Sequence, residues 1–294
     1  MAIISKAAPR ESAFPLRRFR IPTILRYAAL IALGILYAMP FVWMVSISLK
    51  PFPDLDRIPP LLIPSRLTFE NYPTALFQPM IFFPQFFLNT IYYVGLSALG
   101  ELLSSSIVAY AFARIPFRGA NTLFALVLCT MMLPYQVTLI PEYVVFKQLG
   151  WIDTYLPLIV PSWFGVAFYI FLFRQFFLTI PREIDDAAMI DGANHIDILF
   201  RIMVPLSVPA VITCVALSVV QRWNDFLGPR IYINTTAKET VSVALTYFNV
   251  PFQATPQNYL MAASVVSVIP VILIFLFLQD YFVQGVTLTG LKEG

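Results

Sequence analysis

The sequence predicts an all-α integral membrane protein of six transmembrane helices, N-in and C-in, with a helical loop in the cytoplasm between spans four and five. Three observations predict it. Of the 294 residues 59% are hydrophobic and 12% charged, with a mean hydropathy of +0.77; an ordinary soluble domain carries about 25% charged residues. Uncharged runs recur at lengths that cross about 30 Å of hydrocarbon. Lys and Arg also alternate in density between successive connecting segments, as inner and outer loops do.

Uncharged stretches place the spans at residues 27–49, 119–141, 154–173 and 202–221. A second span fits within 86–113, interrupted only by Glu101. The sixth falls at 259–282, because Pro251 and Pro256 mark an earlier break. Residues 27–294 thus form one six-helix membrane domain behind a basic tail, 1–26. That tail holds Lys6, Arg10, Arg17, Arg18, Arg20 and Arg26. Signal peptides also begin this way, but 27–49 exceeds their apolar core of about 7–15 residues. No small-residue cleavage site follows, so a retained first span is expected.

With the N-terminus inside, Arg114, Arg118, Arg174, Arg182, Arg201 and Lys292 join the tail on the cytoplasmic face, 12 of the 19 basic residues. Outside, 50–84 contains Pro51, Pro53, Pro59, Pro60, Pro64, Pro73, Pro79 and Pro84. That density excludes a long helix and predicts an extended segment with short turns.

The loop 180–206 reads as a soluble, capped helix pair between two spans. Pro181 opens it, with Asp185 and Asp186 in the first turn, where carboxylates favour a helix N-terminus. Gly192 supplies a stop, Asn194 a second cap with Asp197 in capping-box position, and Pro205 a close. A rigid knob of this kind suits docking to a partner better than catalysis.

Catalytic and metal-binding patterns are missing from the sequence. It has no GxxxxGK[ST], HExxH, GxSxG or CxxC. His195 is the lone histidine and cannot build a metal site, so a surface or interface role is expected. Cys129 and Cys214 sit in apolar segments and read as buried, inert thiols. A net charge of +3 gives no argument for a nucleic-acid partner.

Asp186-Ala187-Ala188, three residues, Gly192, nine residues, then Ile202-Met203-Val204-Pro205 resembles the EAA loop of ABC-transporter membrane subunits, with Asp for Glu and Val for Leu. SLKP at 48–51, TFENYPTALF at 68–77, AYAFARIPFRG at 109–119, WNDFLGP at 223–229 and the tail YFVQGVTLTGLKEG from Tyr281 are similar to the smaller permease subunit of carbohydrate importers of the maltose and glycerol-phosphate type. The glycines of the tail, 283–294, are kept, but the residues between them differ from the family's usual GLTAGAVKG.

The resemblance implies a permease subunit that is not itself an enzyme, in the cytoplasmic membrane of a bacterium or archaeon. Its loop would act as a coupling helix inserted into cytoplasmic ATPase subunits, which use ATP and Mg; the chain itself binds no cofactor. A second homologous permease subunit and an extracytoplasmic solute-binding protein would complete the importer. The outer segment 222–258, with Trp223, Asn224, Asp225, Arg230, Lys238 and Glu239, either meets that binding protein or merely joins helices.

Ionisable groups at membrane depth point to function. Glu101 either lines the path or hydrogen-bonds between helices near Gly100, Ser104, Ser105 and Ser106; Asp280 is expected at the interface. Arg222, Trp223, Asn224 and Asp225 are further path candidates, Arg222 being the sole lumen cation for an anionic substrate unless it pairs with Asp225. Among the aromatics, Tyr92, Tyr93, Trp163, Tyr169 and Trp223 can stack on sugar rings. The alternative is an ion-gradient-driven transporter or channel, which would want intramembrane charges in pairs and an internal repeat. A membrane-embedded enzyme would need clustered His, Asp or Glu at the inner surface.

Overall fold

The computed structural model describes residues 23–78, 81–249 and 256–290. The tail basic residues Lys6, Arg10, Arg17, Arg18 and Arg20, with Pro79, Pro251 and Lys292, lie outside them, as does the side chain of Asp280. The chain divides into two compact units at Trp43/Met44. The first is the body of α1 (Thr23–Ser48), whose apolar side chains from Ile24 to Val42 are mostly exposed. An all-round apolar, exposed helix is what lipid solvates.

Among the described residues of the second unit the regular elements are helices, except for a short antiparallel ladder of β1 (Phe77–Gln78) and β2 (Ile81–Phe82). As the prolines predict, 50–82 forms only a 3-10 turn at Phe52–Asp54 and the short α2 (Asn71–Leu76) before that ladder. Pro84 departs from the expectation by sitting in the first turn of α3 (Phe83–Arg114), where its missing N–H costs no hydrogen bond.

At 1.5 Å per residue, the 32 residues of α3 reach about 48 Å, more than the hydrocarbon is thick. It is the central strut. Against it pack α7 (Ala167–Phe177) and α11 (Val208–Trp223), in a core of Ala109, Tyr110, Tyr169, Phe173, Phe177, Ile198, Met203 and Cys214. Gly100 is where the packing is tightest: a Cβ there would lie 2.5–2.7 Å from the Trp163 ring, including its Cγ. Gly100→Ala therefore has to displace the root of the indole, and overpacking of this kind costs about 1–3 kcal/mol. We expect a lower unfolding midpoint in detergent and, if backbone approach is the cause, a similar loss in Gly100→Ser.

Among the described residues, four helices are long and apolar enough to cross a membrane: α1, α3, the run Leu156–Phe177 and α14 (Gln257–Gly290). Two further pairs qualify only when joined across a bend. The third predicted span is not one straight helix. It is α4 (Ala120–Thr130) and α5 (Tyr135–Gln148), meeting at 93°. Pro134 breaks it, since proline removes a donor and forces its predecessor out of the helical region.

The fourth span begins as α6 (Leu156–Ile159), tightens to a 3-10 turn over Val160–Phe164 and continues as α7. The fifth predicted span also shifts. Residues 202–206 belong to the preceding helical run, His195–Leu206, which meets α11 at 83°. Ser207 is the corner, between Pro205 and Pro209, whose ring clashes with the carbonyl four residues back. Cys214 is buried, but Cys129 is exposed on α4, against expectation.

The connection from α11 to α14 carries α12 (Leu227–Tyr232), a 3-10 turn at Thr236–Lys238, α13 (Val241–Ala244) and a further 3-10 turn, Leu245–Asn249. Asp153 pins it. Its carboxylate accepts from Asn234 N at 3.0 Å, Thr235 N at 2.8 Å and Thr235 Oγ1 at 2.7 Å, and pairs with Lys238 Nζ at 3.0 Å. The Thr235 hydroxyl, foremost among these donors, holds the Asp153 carboxyl well below the usual carboxylate range.

A lowered folded pKa contributes stability that is present above the unfolded pKa and lost only as pH falls through the folded one. The clasp is therefore expected to stay shut at about pH 4, where a free Asp is half protonated. Hydrogen exchange at the Asn234 and Thr235 amides should remain slow there, and be fast in Asp153→Ala.

Candidate functional site

The loop between α7 and α11 folds as the capped pair predicted, with two differences. Its first helix, α8, spans Arg182–Ile190, with Pro181 as N-cap and Glu183 and Asp185 in the first turn. Asp186 lies one position later, exposed beside exposed Ala187, while Ala188 packs on the core. Gly192 has φ +90° and closes a Schellman turn, with Ala193 N donating to Ala188 O at 2.9 Å and Gly192 N to Met189 O at 3.0 Å.

Asn194 Oδ1 accepts from Ile196 N and Asp197 N at 2.9 and 3.0 Å, capping α9 (His195–Asp197). A π-helical turn, Ile198–Met203, and α10 (Val204–Leu206) continue the run. Asp197 does not complete a capping box; it pairs with Arg201 Nε at 3.2 Å. Ile202 is half-buried against the core and Pro205 exposed.

Two contacts fasten this knob to the C-terminal end of α3. Arg114 Nε lies 3.1 Å from Asp185 Oδ2, both side chains buried, and Arg114 Nη2 donates to Ile180 O at 2.7 Å. Burial pushes the Asp185 carboxyl up from its ordinary value, against the pull of Arg114. Tyr110 Oη and His195 Nδ1 are 3.1 Å apart, so the lone histidine is an exposed strut of this joint. Opposite the joint the knob exposes Met189, Ile190 and Ile196, at 43%, 86% and 70%: an apolar tip that water does not favour.

Gly192 needs its positive φ, and a β-branched residue there costs about 1–2 kcal/mol. No atom would meet its Cβ. Gly192→Val should therefore disturb the turn while leaving the helix packing intact, with an unchanged far-ultraviolet dichroism spectrum as the check.

The second cluster lies deeper. The carboxylate of Glu101, a residue 2% exposed in the middle of α3, does not bond to the neighbouring serines. Ser104 turns back to Gly100 O at 2.6 Å, and Ser105 Oγ accepts from Val166 N at 3.0 Å. Glu101 accepts instead from Ser218 Oγ and from both Nε and Nη2 of Arg222, Nε at 3.0 Å. Arg222 Nη1 donates to Tyr93 Oη at 3.2 Å, and Tyr93 Oη to Asp225 Oδ2 at 2.7 Å.

The result is a chain of four polar side chains, Glu101–Arg222–Tyr93–Asp225, joining α3 to the C-terminal end of α11. Arg222 is thus paired with Glu101, not Asp225, and its charge is already met. Glu101 has the charged partner that sequence reading did not give it. The Asp225 carboxylate also accepts from Gly228 N at 3.2 Å, and a Cβ on Gly228 would meet it at 2.8 Å.

Trp223 and Asn224 do not join this cluster. Trp223 is buried, its indole donating to Ser267 O at 3.1 Å and meeting Phe87 edge-on. Asn224 is exposed and donates to Val220 O. Tyr93 and Tyr169 are core residues, Tyr92 stands against Tyr155, and Trp163 covers Gly100.

Beside Arg222 and Asp225 a cavity of about 450 Å³ opens, lined also by Tyr135, Glu142, Gln221 and Tyr232. Sequence reading missed these last four. Glu142 alone left a signal, as the first charge after the uncharged run 119–141.

With this geometry in place, comparison with known proteins decides the family. Residues 102–288 match the model of the binding-protein-dependent transport system inner membrane component. The chain belongs to this family. The permease is 35% identical over 264 residues to the arabinooligosaccharides transport system permease protein of Bacillus subtilis (strain 168), covering 88% of this chain and 92% of that one. It is 33% identical over 272 residues to the trehalose/maltose transport system permease protein of Thermococcus litoralis, covering 92% and 96%. The sn-glycerol-3-phosphate transport system permease protein of Brucella abortus is 30% identical over 261 residues, with 87% and 92% covered.

Among solved structures, a bacterial ABC transporter involved in the import of the acidic polysaccharide alginate superposes with a TM-score of 0.78 at 23% identity. The match covers 88% of this chain and 95% of that one. This permease is accordingly a multi-pass membrane subunit of an ABC importer.

Proposed function

We propose that this permease is one half of the membrane channel of an ATP-driven saccharide importer in a bacterial or archaeal cytoplasmic membrane. Each bent pair counts as one crossing, which makes six spans with both ends in the cytoplasm. The loop 180–206 seats its tip in a cleft of a separate ATPase subunit, where ATP and Mg are used. A second homologous permease subunit completes the path, and a solute-binding protein delivers the sugar from outside.

The observation that carries this reading is the knob: an apolar tip, Met189, Ile190 and Ile196, on a capped double turn fastened to the central helix through Arg114 and Asp185. A rigid lever of this form moves whole helices when its socket moves. The saccharide class follows from the names of the relatives, two of which carry oligosaccharides.

Detergent co-purification of the tagged chain from its native membrane tests the assembly. An ATPase subunit and a second permease should come with it; recovery of the chain alone would return the ion-driven reading to the front. In the purified complex, Gly192→Val should hydrolyse ATP without transporting, or lose the ATPase subunit, whereas normal transport would count against the lever.

A further inference from the structure

The relatives do not settle which saccharides pass. Their names include arabinooligosaccharides and trehalose/maltose on one side, and glycerol 3-phosphate and polygalacturonan on the other. The cavity beside the Glu101–Arg222 pair narrows the choice.

Its volume of about 450 Å³ lies within the range, about 300–1,000 Å³, in which small ligands are held. Its lining is polar: Glu142, Gln221, Arg222 and Asp225 face it together with Tyr135 and Tyr232. Carboxylates and amides on a lipid-facing wall would be costly, so this wall is one that water reaches. Pro157, Leu158 and Pro161 supply the apolar remainder.

Two features identify the occupant. First, the Tyr232 hydroxyl is buried and makes no well-formed hydrogen bond, although the Tyr135 phenol approaches it. A buried donor left unsatisfied is costly and calls for a partner from outside the chain. Its backbone is held rigidly, because Tyr232 O accepts from Asp153 N at 2.8 Å in the outer clasp.

Second, the sign of the lining is negative. Arg222 is the single cation, and it is neutralised by Glu101 from behind. That leaves Glu142 and Asp225 facing the cavity. Carboxylates accept hydrogen bonds from sugar hydroxyls, but they repel a uronate or a phosphate in a site of low dielectric. The phenol ring of Tyr135, 42% exposed, adds an apolar face of the kind that packs on pyranose C–H surfaces.

We propose that this cavity is a transit site for one or two units of an uncharged saccharide. Tyr232 Oη, Glu142 and Gln221 bind its hydroxyls, and the two carboxylates turn acidic sugars away. This deepens the importer reading and rests on it. It also separates the permease from its structural neighbour, the transporter involved in the import of an acidic polysaccharide.

Saturation-transfer NMR on the purified complete complex, without solute-binding protein, tests the site directly and reads weak binding. The probes are maltotriose, arabinotriose and raffinose, all uncharged, and trigalacturonate. Saturation transfer is expected to at least one uncharged probe and not to trigalacturonate. Tyr232→Phe keeps the ring and removes one neutral hydrogen bond, so the apparent affinity should fall about three- to tenfold. Glu142→Arg should reverse the preference and admit trigalacturonate; Glu142→Gln, the milder change, should relax discrimination without loss of complex.

Transfer to trigalacturonate as strong as to the uncharged probes in the unmodified complex would overturn the charge argument. Transfer to none of the probes, or binding that Tyr232→Phe and both Glu142 variants leave unchanged, would overturn the site. Failure of the importer reading shows up separately, as a chain that purifies with no ATPase subunit.

Discussion

Arg222→Met is expected to cost this permease about 3–5 kcal/mol, the range for removing one partner of a buried ion pair and stranding the other. Glu101 would remain 2% exposed inside the helix packing, with only Ser218 to donate to it. The Tyr93 hydroxyl would lose its donor as well, loosening the contact that leads on to Asp225.

The expected result is a large fall in the detergent unfolding midpoint, with loss of the monodisperse peak on size exclusion. Glu101→Gln in the same background removes the stranded charge and keeps an acceptor for Ser218, so the double variant should recover most of the loss. A double variant as unstable as Arg222→Met alone would show that the guanidinium acts through its packing rather than through its charge.

That network marks where sequence reading stops. Glu101 was legible as a charge interrupting an apolar run, and Arg222 as a cation at the end of another. Their pairing across 121 positions was not, because it depends on the register of α3 against α11. Close contacts such as Trp163 over Gly100, which fix α3 against the 3-10 turn Val160–Phe164, leave no periodic trace either.

The bends at Pro134 and Ser207 were missed for a related reason. Counting uncharged residues measures whether a segment can cross, not whether it crosses straight, although Pro134, Pro205 and Pro209 stood in view. The loop was legible almost completely, since Pro181, Gly192 and Asn194 act through local backbone geometry. The exceptions were Asp197, which pairs with Arg201 instead of closing a capping box, and which of two adjacent carboxylates turns inward. Asp185 and Asp186 lie about 100° apart on the helix, and only the packing of α8 against Arg114 selects Asp185.

The second large effect follows from that choice. Arg114→Met leaves Asp185 buried without its countercharge, and about 3–5 kcal/mol is again the expected cost, concentrated at the base of the loop. The burial that already pushes the Asp185 carboxyl up would then act unopposed by Arg114, the nearest cation. A raised carboxyl pKa means the folded state holds its proton more tightly than the unfolded one. Stability is therefore retained at low pH and lost as pH rises through the window between the two values. The variant should accordingly be least defective in mildly acidic buffer, a pH profile that lost packing alone would not produce. Because Arg114 also donates to Ile180 O, the α7–α8 corner should loosen with it. Global unfolding is expected to change less than amide exchange over Pro181–Ile190, and ATP hydrolysis to persist while transport falls. Arg114→Lys keeps the charge but not the forked geometry, and should recover the acid dependence before it recovers transport. If Arg114→Met transports normally at neutral pH, the ion pair is not what makes the loop a rigid extension of α3.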